Sequence, residues 1–149
     1  SSLIDRENGR QLKGEGYALN TFLVAEDVPD SWDNWDLDAD IADKWRDCAK
    51  LLSRSVVSCG AVELRIRSEY QLTKKSSRRQ DMVFYSKDRK IGFETVMNWQ
   101  DDHRFLKAAF DTSVQSRFAR NEVQFGYIER ATYRNTSWEK AKFEVSNHK

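Results

Sequence analysis

The sequence predicts an all-β protein, folded as one antiparallel β-sandwich domain over residues 1–149. Three observations predict this fold. Residues 62–72 and 91–99 alternate between apolar and polar side chains, several other short runs are rich in β-forming residues, and helical periodicity is scarce. Period-two alternation indicates strands with one buried and one solvated face, and many short strands separated by polar turns are typical of a sandwich.

The N-terminal third predicts one strand and one short helix. Tyr17–Ala25 is rich in residues that favour strands, and Pro29 marks the loop that follows it. Ile41, Trp45 and Cys48 are spaced to share one face of a short helix.

The middle of the chain predicts three strands. Val62–Leu72 and Ile91–Trp99 carry the clearest alternation, and Gln80–Tyr85 lies between them. Ser86–Arg89 is polar and predicts a hairpin turn. The basic, serine-containing patch Lys74–Arg79 is interpreted as a solvated turn rather than an anion site, since runs of charge are usually solvated.

The last third predicts three more strands, at Phe105–Phe110, Val123–Ile128 and Lys142–Val145. Together with the strands predicted in the first two thirds of the chain, they give a number of strands that is typical of a sandwich.

The charge balance argues against nucleic acid and anionic membranes as partners. The chain has 25 basic and 24 acidic residues, for a formal net charge of +1, and so lacks the global field that gathers phosphates. No apolar run reaches the roughly 20 residues of a membrane helix, and Ser1–Arg10 has no apolar signal stretch. Cys48 and Cys59 are expected to be reduced structural thiols of a cytoplasmic protein.

No residue pattern here completes a catalytic or metal site. The alternating carboxylates of Asp36–Asp40 resemble the start of a calcium loop, but Ile41 and Asp47 stand where glycine and glutamate are needed. His103 and His148 are the only histidines and lack metal-ligand spacing. No serine lies in a G-x-S-x-G motif, and no pair of carboxylates is singled out for glycosidic hydrolysis. We therefore expect no metal ligand or catalytic residue in this chain.

Trp32, Asp33, Trp35 and Asp36 combine flat apolar rings with hydrogen-bond acceptors. Such a set is suited to stacking on a sugar and bonding its hydroxyl groups. Large indole rings are also often buried, so a packed cap on the sandwich is the alternative.

The segment QFGYIERATYRNTSWEKAKFEV, residues 124–145, resembles a signature of glycoside hydrolase family 38. It is most similar to the bacterial and cytosolic-type α-mannosidases, whose form is close to Q-F-G-x-x-x-R-P-T-H-x-N-T-S-W-x-x-A-x-F-E-V. Further segments resemble other parts of the family's post-catalytic β region: 2–5 with 8–10, 26–36, 91–95 and 99–107. Ala131 and Tyr133 depart from the family's usual proline and histidine.

The resemblance implies one β domain of a larger retaining α-mannosidase, with a fold like the galactose-mutarotase supersandwich. In that family, zinc holds the terminal mannose and a carboxylate forms the glycosyl-enzyme intermediate. Those groups belong to a preceding α/β domain and a helical domain of the same polypeptide, so this chain alone is expected to be inactive. The implied partners are those domains and a mannose-containing oligosaccharide, and homo-oligomerisation is left open.

Within the signature, six polar residues are candidates for contacts with the substrate pocket: Gln124, Tyr127, Glu129, Arg130, Arg134 and Asn135. The alternative is structural. Asn135, Thr136 and Ser137 would then form a side-chain-capped turn, while Trp138 and Phe143 pack in the core.

Two other functions stay open at this point. A free-standing carbohydrate-binding module would use Trp32 and Trp35 as a stacking platform. A mutarotase-like enzyme would need a histidine and a carboxylate in one cleft, and His103 is its only interior candidate. An enzyme domain removed from its neighbours should instead expose a large apolar patch.

Overall fold

The computed structural model describes residues 2–28, 37 and 40–140. These residues form antiparallel sheets and two helices of four residues each, which confirms the all-β prediction and is consistent with a β-sandwich. They divide into two compact units. The central unit comprises 20–26 and 44–109, and the terminal unit comprises the described parts of 1–19, 27–43 and 110–149.

The described residues form eleven strands. In order, they are β1 Ile4–Asp5, β2 Arg10–Gln11, β3 Thr21–Glu26, β4 Arg46–Asp47, β5 Lys50–Cys59, β6 Glu63–Gln71, β7 Ser77–Tyr85, β8 Ile91–Asn98, β9 Arg104–Ala109, β10 Phe118–Val123 and β11 Gly126–Ala131. The helices are α1 Ile41–Lys44 and α2 Ser137–Lys140.

A four-stranded antiparallel sheet in the order β5-β6-β7-β8 dominates the central unit. The predicted strands Val62–Leu72 and Ile91–Trp99 are confirmed as β6 and β8, and the polar turn after Tyr85 joins β7 to β8. The middle strand is longer than predicted, because β7 begins at Ser77. The predicted strand Phe105–Phe110 is β9, shifted by one residue.

One face of this sheet carries a network of charges centred on Asp81. The Arg67 guanidinium donates to both Asp81 oxygens at 2.8 Å, and Arg65 Nη1 donates to Asp81 Oδ2 at 3.3 Å and to Glu94 Oε2 at 2.5 Å. Asp81 is opposite Arg67 on β6 and Glu94 on β8. The network therefore links three strands and fixes which side chains share this face.

Strand β5 was not predicted, because two β-bulges interrupt its alternation. Leu51 is opposite Tyr70 and Val56 is opposite Ile66, and the register shifts directly after each of them. Tyr70 and Ile66 are four residues apart on β6 and share a face of the pleated sheet. The inserted residue of the first bulge therefore brings Leu51 and Val56, five residues apart, onto that same face.

A second sheet of the central unit has three strands in the order β4-β3-β9. Strand β3 lies in its middle, and Phe22, Leu23 and Ala25 are buried there. The predicted strand Tyr17–Ala25 begins only at Thr21. The Phe105 ring lies 5.5 Å from that of Trp45, which packs beside β9.

Arg78 connects the two sheets of the central unit and is 3% exposed. Its guanidinium lies over the Phe22 ring of β3 at 3.1 Å and over the Tyr70 ring of β6 at 4.2 Å. Nε and Nη1 have no hydrogen-bond acceptor in the structure as described. The solvated turn predicted for Lys74–Arg79 is therefore wrong at its C-terminal end, because Arg78 is an inward-facing strand residue, while Lys74 and Lys75 are exposed as expected.

The terminal unit contains two small sheets, β1-β2 and β10-β11. A bridge between Lys13 and Thr112 joins its N-terminal segment to the chain after β9. The Asp111 carboxylate accepts a hydrogen bond from Gly16 N at 2.6 Å and lies 2.6 Å from where a Cβ of Gly14 would be. Glycine at position 14 permits this close approach.

The predicted helix is shorter than expected: α1 ends at Lys44, before Trp45 and Cys48. Cys48 is half-buried and Cys59 is exposed, and both are free thiols. None of the helices in the described ranges has the length and apolarity needed to cross a membrane. The predicted strand Lys142–Val145 lies outside the described residues.

The Asp81 network predicts a specific loss of stability in acid. Hydrogen bonds from Arg67 are the main cause that lowers the pKa of Asp81 to about 2, from an ordinary 3.8. A carboxylate with a lowered pKa stabilises the fold above its ordinary pKa, and this contribution disappears as the pH falls through the folded-state value. Asp81→Asn should therefore lower the unfolding free energy at pH 6 and weaken its fall between about pH 4 and 2, measured by urea denaturation. Asp102 is exposed, and Asp102→Asn should leave the unfolding free energy at pH 6 unchanged.

Arg78→Met should leave the free energy of unfolding unchanged or raise it by about 1 kcal/mol. The substitution loses the contacts with the two rings, but it also removes a buried charge with N–H donors that have no acceptor, and the second effect offsets the first. Desolvation lowers the pKa of Arg78 to about 10, well below the ordinary value of an arginine, so the buried group stays charged at neutral pH. Urea denaturation at pH 7 measures the effect. Arg54→Met is the control and should destabilise, because Arg54 donates to Ser68 and Tyr70. Any measurable loss of stability for Arg78→Met would contradict the prediction.

Candidate functional site

The residues of the signature lie on and after the β10-β11 hairpin of the terminal unit. Val123 is paired with Gly126, so Gln124 and Phe125 form a two-residue turn. Phe125 has φ 65°, in the left-handed region that favours glycine. The strand predicted at Val123–Ile128 is therefore wrong, because the chain reverses direction inside it.

Two of the six candidate residues share a face of the hairpin with Arg120. Arg120 is opposite Glu129, and Glu122 is opposite Tyr127. Arg120 Nη2 donates to Glu129 Oε2 at 3.2 Å, and its guanidinium lies 4.4 Å from the centre of the Tyr127 ring. Arg120, Tyr127 and Glu129 therefore form one contiguous group, which we call the hairpin triad.

The hairpin triad is exposed. The side chains of Arg120 and Glu129 are 63% and 43% exposed, and Tyr127 is 59% exposed. An ion pair in such a setting contributes roughly 0–1 kcal/mol to stability, because water screens it. The triad presents a flat ring, an acceptor and a donor to solvent, and these are groups that can stack on a sugar and bond its hydroxyls.

Arg130 lies on the opposite face of the hairpin from Glu129, because successive side chains of a strand alternate. It is half-buried, like Ile128 on β11 and Val123 on β10. Gln124 is exposed in the turn. The structure thus separates Arg130 and Gln124 from the hairpin triad.

Arg134 and Asn135 follow β11 and precede α2. The Asn135 and Thr136 amides donate to Glu139 Oε2 at 2.9 and 3.0 Å, and the Glu139 amide donates to Thr136 Oγ1 at 3.1 Å. This reciprocal pattern is a capping box at the start of α2. The capped turn given as the structural alternative is therefore present.

The core packing of Trp138, which was part of the structural alternative, is not observed, because this side chain is 72% exposed. Phe143 lies outside the described residues. Tyr133, which departs from the family pattern, makes an edge contact with Phe118, with ring centres 6.3 Å apart. This contact ties the segment after β11 to the start of the hairpin.

Several other candidates from the sequence lie outside the described residues. They are Trp32, Asp33, Trp35, Asp36 and His148, together with most of Asp36–Asp40. Within the ranges that are described, no three His, Cys, Asp or Glu side chains are grouped closely enough to hold a metal ion. His103 is exposed, with φ 51°.

Two residues of interest were missed from the sequence. Arg120 could have been found only from the hairpin register, since Glu129 is nine positions away. Arg78 was assigned to a solvated patch because its neighbours are basic and polar, although the β7 pleat turns it inward.

Comparison with known proteins agrees with the signature. The family model described as "Glycosyl hydrolases family 38 C-terminal domain" matches residues 1–149. This chain belongs to that family. It is 32% identical to "Alpha-mannosidase 2C1" of Homo sapiens in an alignment of 150 positions that covers 100% of this chain and 14% of the relative.

Two further relatives have similar sequence identity to this chain and similar coverage. "Alpha-mannosidase G" of Dictyostelium discoideum is 31% identical over 99% of this chain and 14% of its own length. "Alpha-mannosidase" of Saccharomyces cerevisiae is 32% identical over 98% of this chain and also 14% of its own length. The family 38 chain thus spans about one seventh of these relatives.

Proposed function

We propose that this family 38 chain is a β domain of an α-mannosidase that hydrolyses terminal α-mannosides by a retaining, zinc-dependent reaction. The observation that carries the proposal is the family match over residues 1–149, together with relatives named as α-mannosidases of which the chain spans 14%. Zinc would polarise the substrate in another domain. Because the described residues contain no cluster that could bind a metal, we assign no zinc-dependent step to this chain.

The apolar row on β5 supports a structural role beside other domains. This row comprises Leu51, Leu52, Val56 and Val57, which are 44%, 57%, 59% and 44% exposed. The first bulge of β5 keeps Leu51 and Val56 on the face of Tyr70 and Ile66, opposite the face of the Asp81 network. Exposed apolar side chains of this kind on an edge strand are typical of an interface.

The proposed partners of this row are the catalytic and helical domains of the same polypeptide. Its residues are apolar, and the aliphatic side chains of a second domain would remove them from water at a gain of about 25 cal/mol for each Å² covered. An edge strand with such side chains is also a hazard for aggregation when uncovered. Covering β5 within one polypeptide would remove that hazard.

The proposed contacts with a mannose-containing substrate lie on the hairpin and the segment after it. The hairpin triad contributes Tyr127 and Glu129, held by Arg120, while Gln124, Arg130, Arg134 and Asn135 offer further donors and acceptors. Sugar recognition combines ring stacking with directional hydrogen bonds. The triad supplies both kinds of group in one exposed place.

A cytoplasmic location is part of the proposal. Cys48 and Cys59 are free thiols, as is usual in a reducing compartment. Burial raises the pKa of the Cys48 thiol, which keeps it protonated and unreactive. Both observations fit structural cysteines.

A direct experiment compares the complete polypeptide with residues 1–149 alone, using a chromogenic α-mannoside. The complete polypeptide should release the chromophore and lose this activity on treatment with a zinc chelator. The 149-residue chain should show none. Turnover by the short chain, or none by the complete polypeptide, would refute the proposed function.

In the complete polypeptide, Arg130→Ala should reduce kcat/KM for the α-mannoside by about tenfold or more, since hydrogen bonds to charged groups contribute roughly 1.5–3 kcal/mol. The melting temperature should change little. Arg6→Ala, which removes an exposed arginine from the turn after β1, is the matched control and should keep the wild-type kcat/KM. Equal kinetics for the two variants would exclude Arg130 from the substrate contacts.

A further inference from the structure

Phe125 combines two unfavourable features at the tip of the β10-β11 hairpin. Its relative exposure is 109%, so the whole ring is in water. Its φ of 65° lies in a region that is strained for a side chain bearing a Cβ. Glycine would relieve the strain, yet the glycine of this motif is the next residue, Gly126.

The hairpin that carries Phe125 is a sheet of two strands. Two-stranded hairpins are marginally stable in water by themselves, so an additional contact at the tip would stabilise this one. Strained residues that persist in a fold are concentrated at sites of binding and clamping. The exposure of the Phe125 ring and the strain of its backbone are thus two separate indications that the ring contacts a group outside the hairpin.

We propose that Phe125 is an anchor that inserts into an apolar socket on another domain of the same polypeptide. This inference rests on the proposed function, in which the chain is one domain of a longer enzyme. The relatives are about seven times longer than this chain, so most of such a polypeptide is available to form the socket. The phenyl ring offers no hydrogen-bonding group, which favours an apolar socket over a sugar.

Docking within one polypeptide fits a single anchor better than docking of a second copy. Stable interfaces between separate proteins bury about 1,200–2,000 Å² in total, far more than one ring supplies. Two parts of one chain lose much less translational freedom on contact, because their linkage gives a high effective concentration. One buried aromatic side chain is then sufficient to hold the hairpin tip.

The test measures the rate of limited trypsin cleavage after Arg117 and Arg120 in the complete polypeptide. The wild type is compared with Phe125→Gly, Phe125→Asn and Phe125→Leu. Glycine and asparagine accept the positive φ but remove the apolar ring, whereas leucine keeps an apolar side chain. Phe125→Gly and Phe125→Asn should be cleaved about tenfold faster than the wild type, the effect expected when a phenylalanine loses its buried site. Phe125→Leu should stay closer to the wild type.

In the 149-residue chain, where no socket exists, Phe125→Gly should be cleaved no faster than the wild type. Tyr17→Gly, which removes another exposed aromatic ring from the terminal unit, controls for general effects in the complete polypeptide. Equal cleavage of Phe125→Gly and wild type in the complete polypeptide would overturn the anchor. A complete polypeptide without mannosidase activity, in which Phe125→Gly nevertheless speeds trypsin cleavage, would support the anchor while refuting the proposed function.

Discussion

The hydrogen-bonded charge network around Asp81 is the constraint on which the central unit depends. Arg67 binds the Asp81 carboxylate through two hydrogen bonds, and Arg65 links it to Glu94 on the next strand. A slip of one residue in the pairing of β6 with β7 would move Asp81 to the apolar side of the sheet. Because a buried, unpaired carboxylate is costly, the charge network disfavours such a slip.

Because the register places the charged side chains on one face of the sheet, it also determines which side chains lie on the opposite face. That face carries Tyr70, Ile66 and Arg78, and part of it packs against Phe22 on β3. The bulges of β5 extend the same face with apolar residues that the central unit leaves exposed. Apolar side chains of β5 therefore remain exposed on the face that carries Tyr70 and Ile66.

Much of the fold was predictable from the sequence wherever strands alternate regularly. Strands β6 and β8 were predicted to within two residues because nothing interrupts their pleat. Strand β5 was missed because the apolar pairs Leu51-Leu52 and Val56-Val57 sit at bulges. The hairpin was predicted as a single strand because Phe125, a strand-favouring residue, occupies a turn position usually held by glycine.

The candidate site was less predictable, because it depends on pairing between distant residues. The resemblance to family 38 nominated Tyr127 and Glu129, but only the hairpin register brings Arg120 to both of them. The same register puts Arg130 on the other face. Alternation in a strand is local information, whereas the neighbours across a sheet are set by the turn.

Hydrogen–deuterium exchange of β5 tests most directly whether the apolar face is completed by other domains. Amides between Leu51 and Val57 should exchange at least about tenfold more slowly in the complete polypeptide than in the 149-residue chain, because covering an edge strand restricts local opening. The Asp81 region of β7 should be protected alike in both. Equal exchange of β5 in the two proteins would show that this face stays open to solvent.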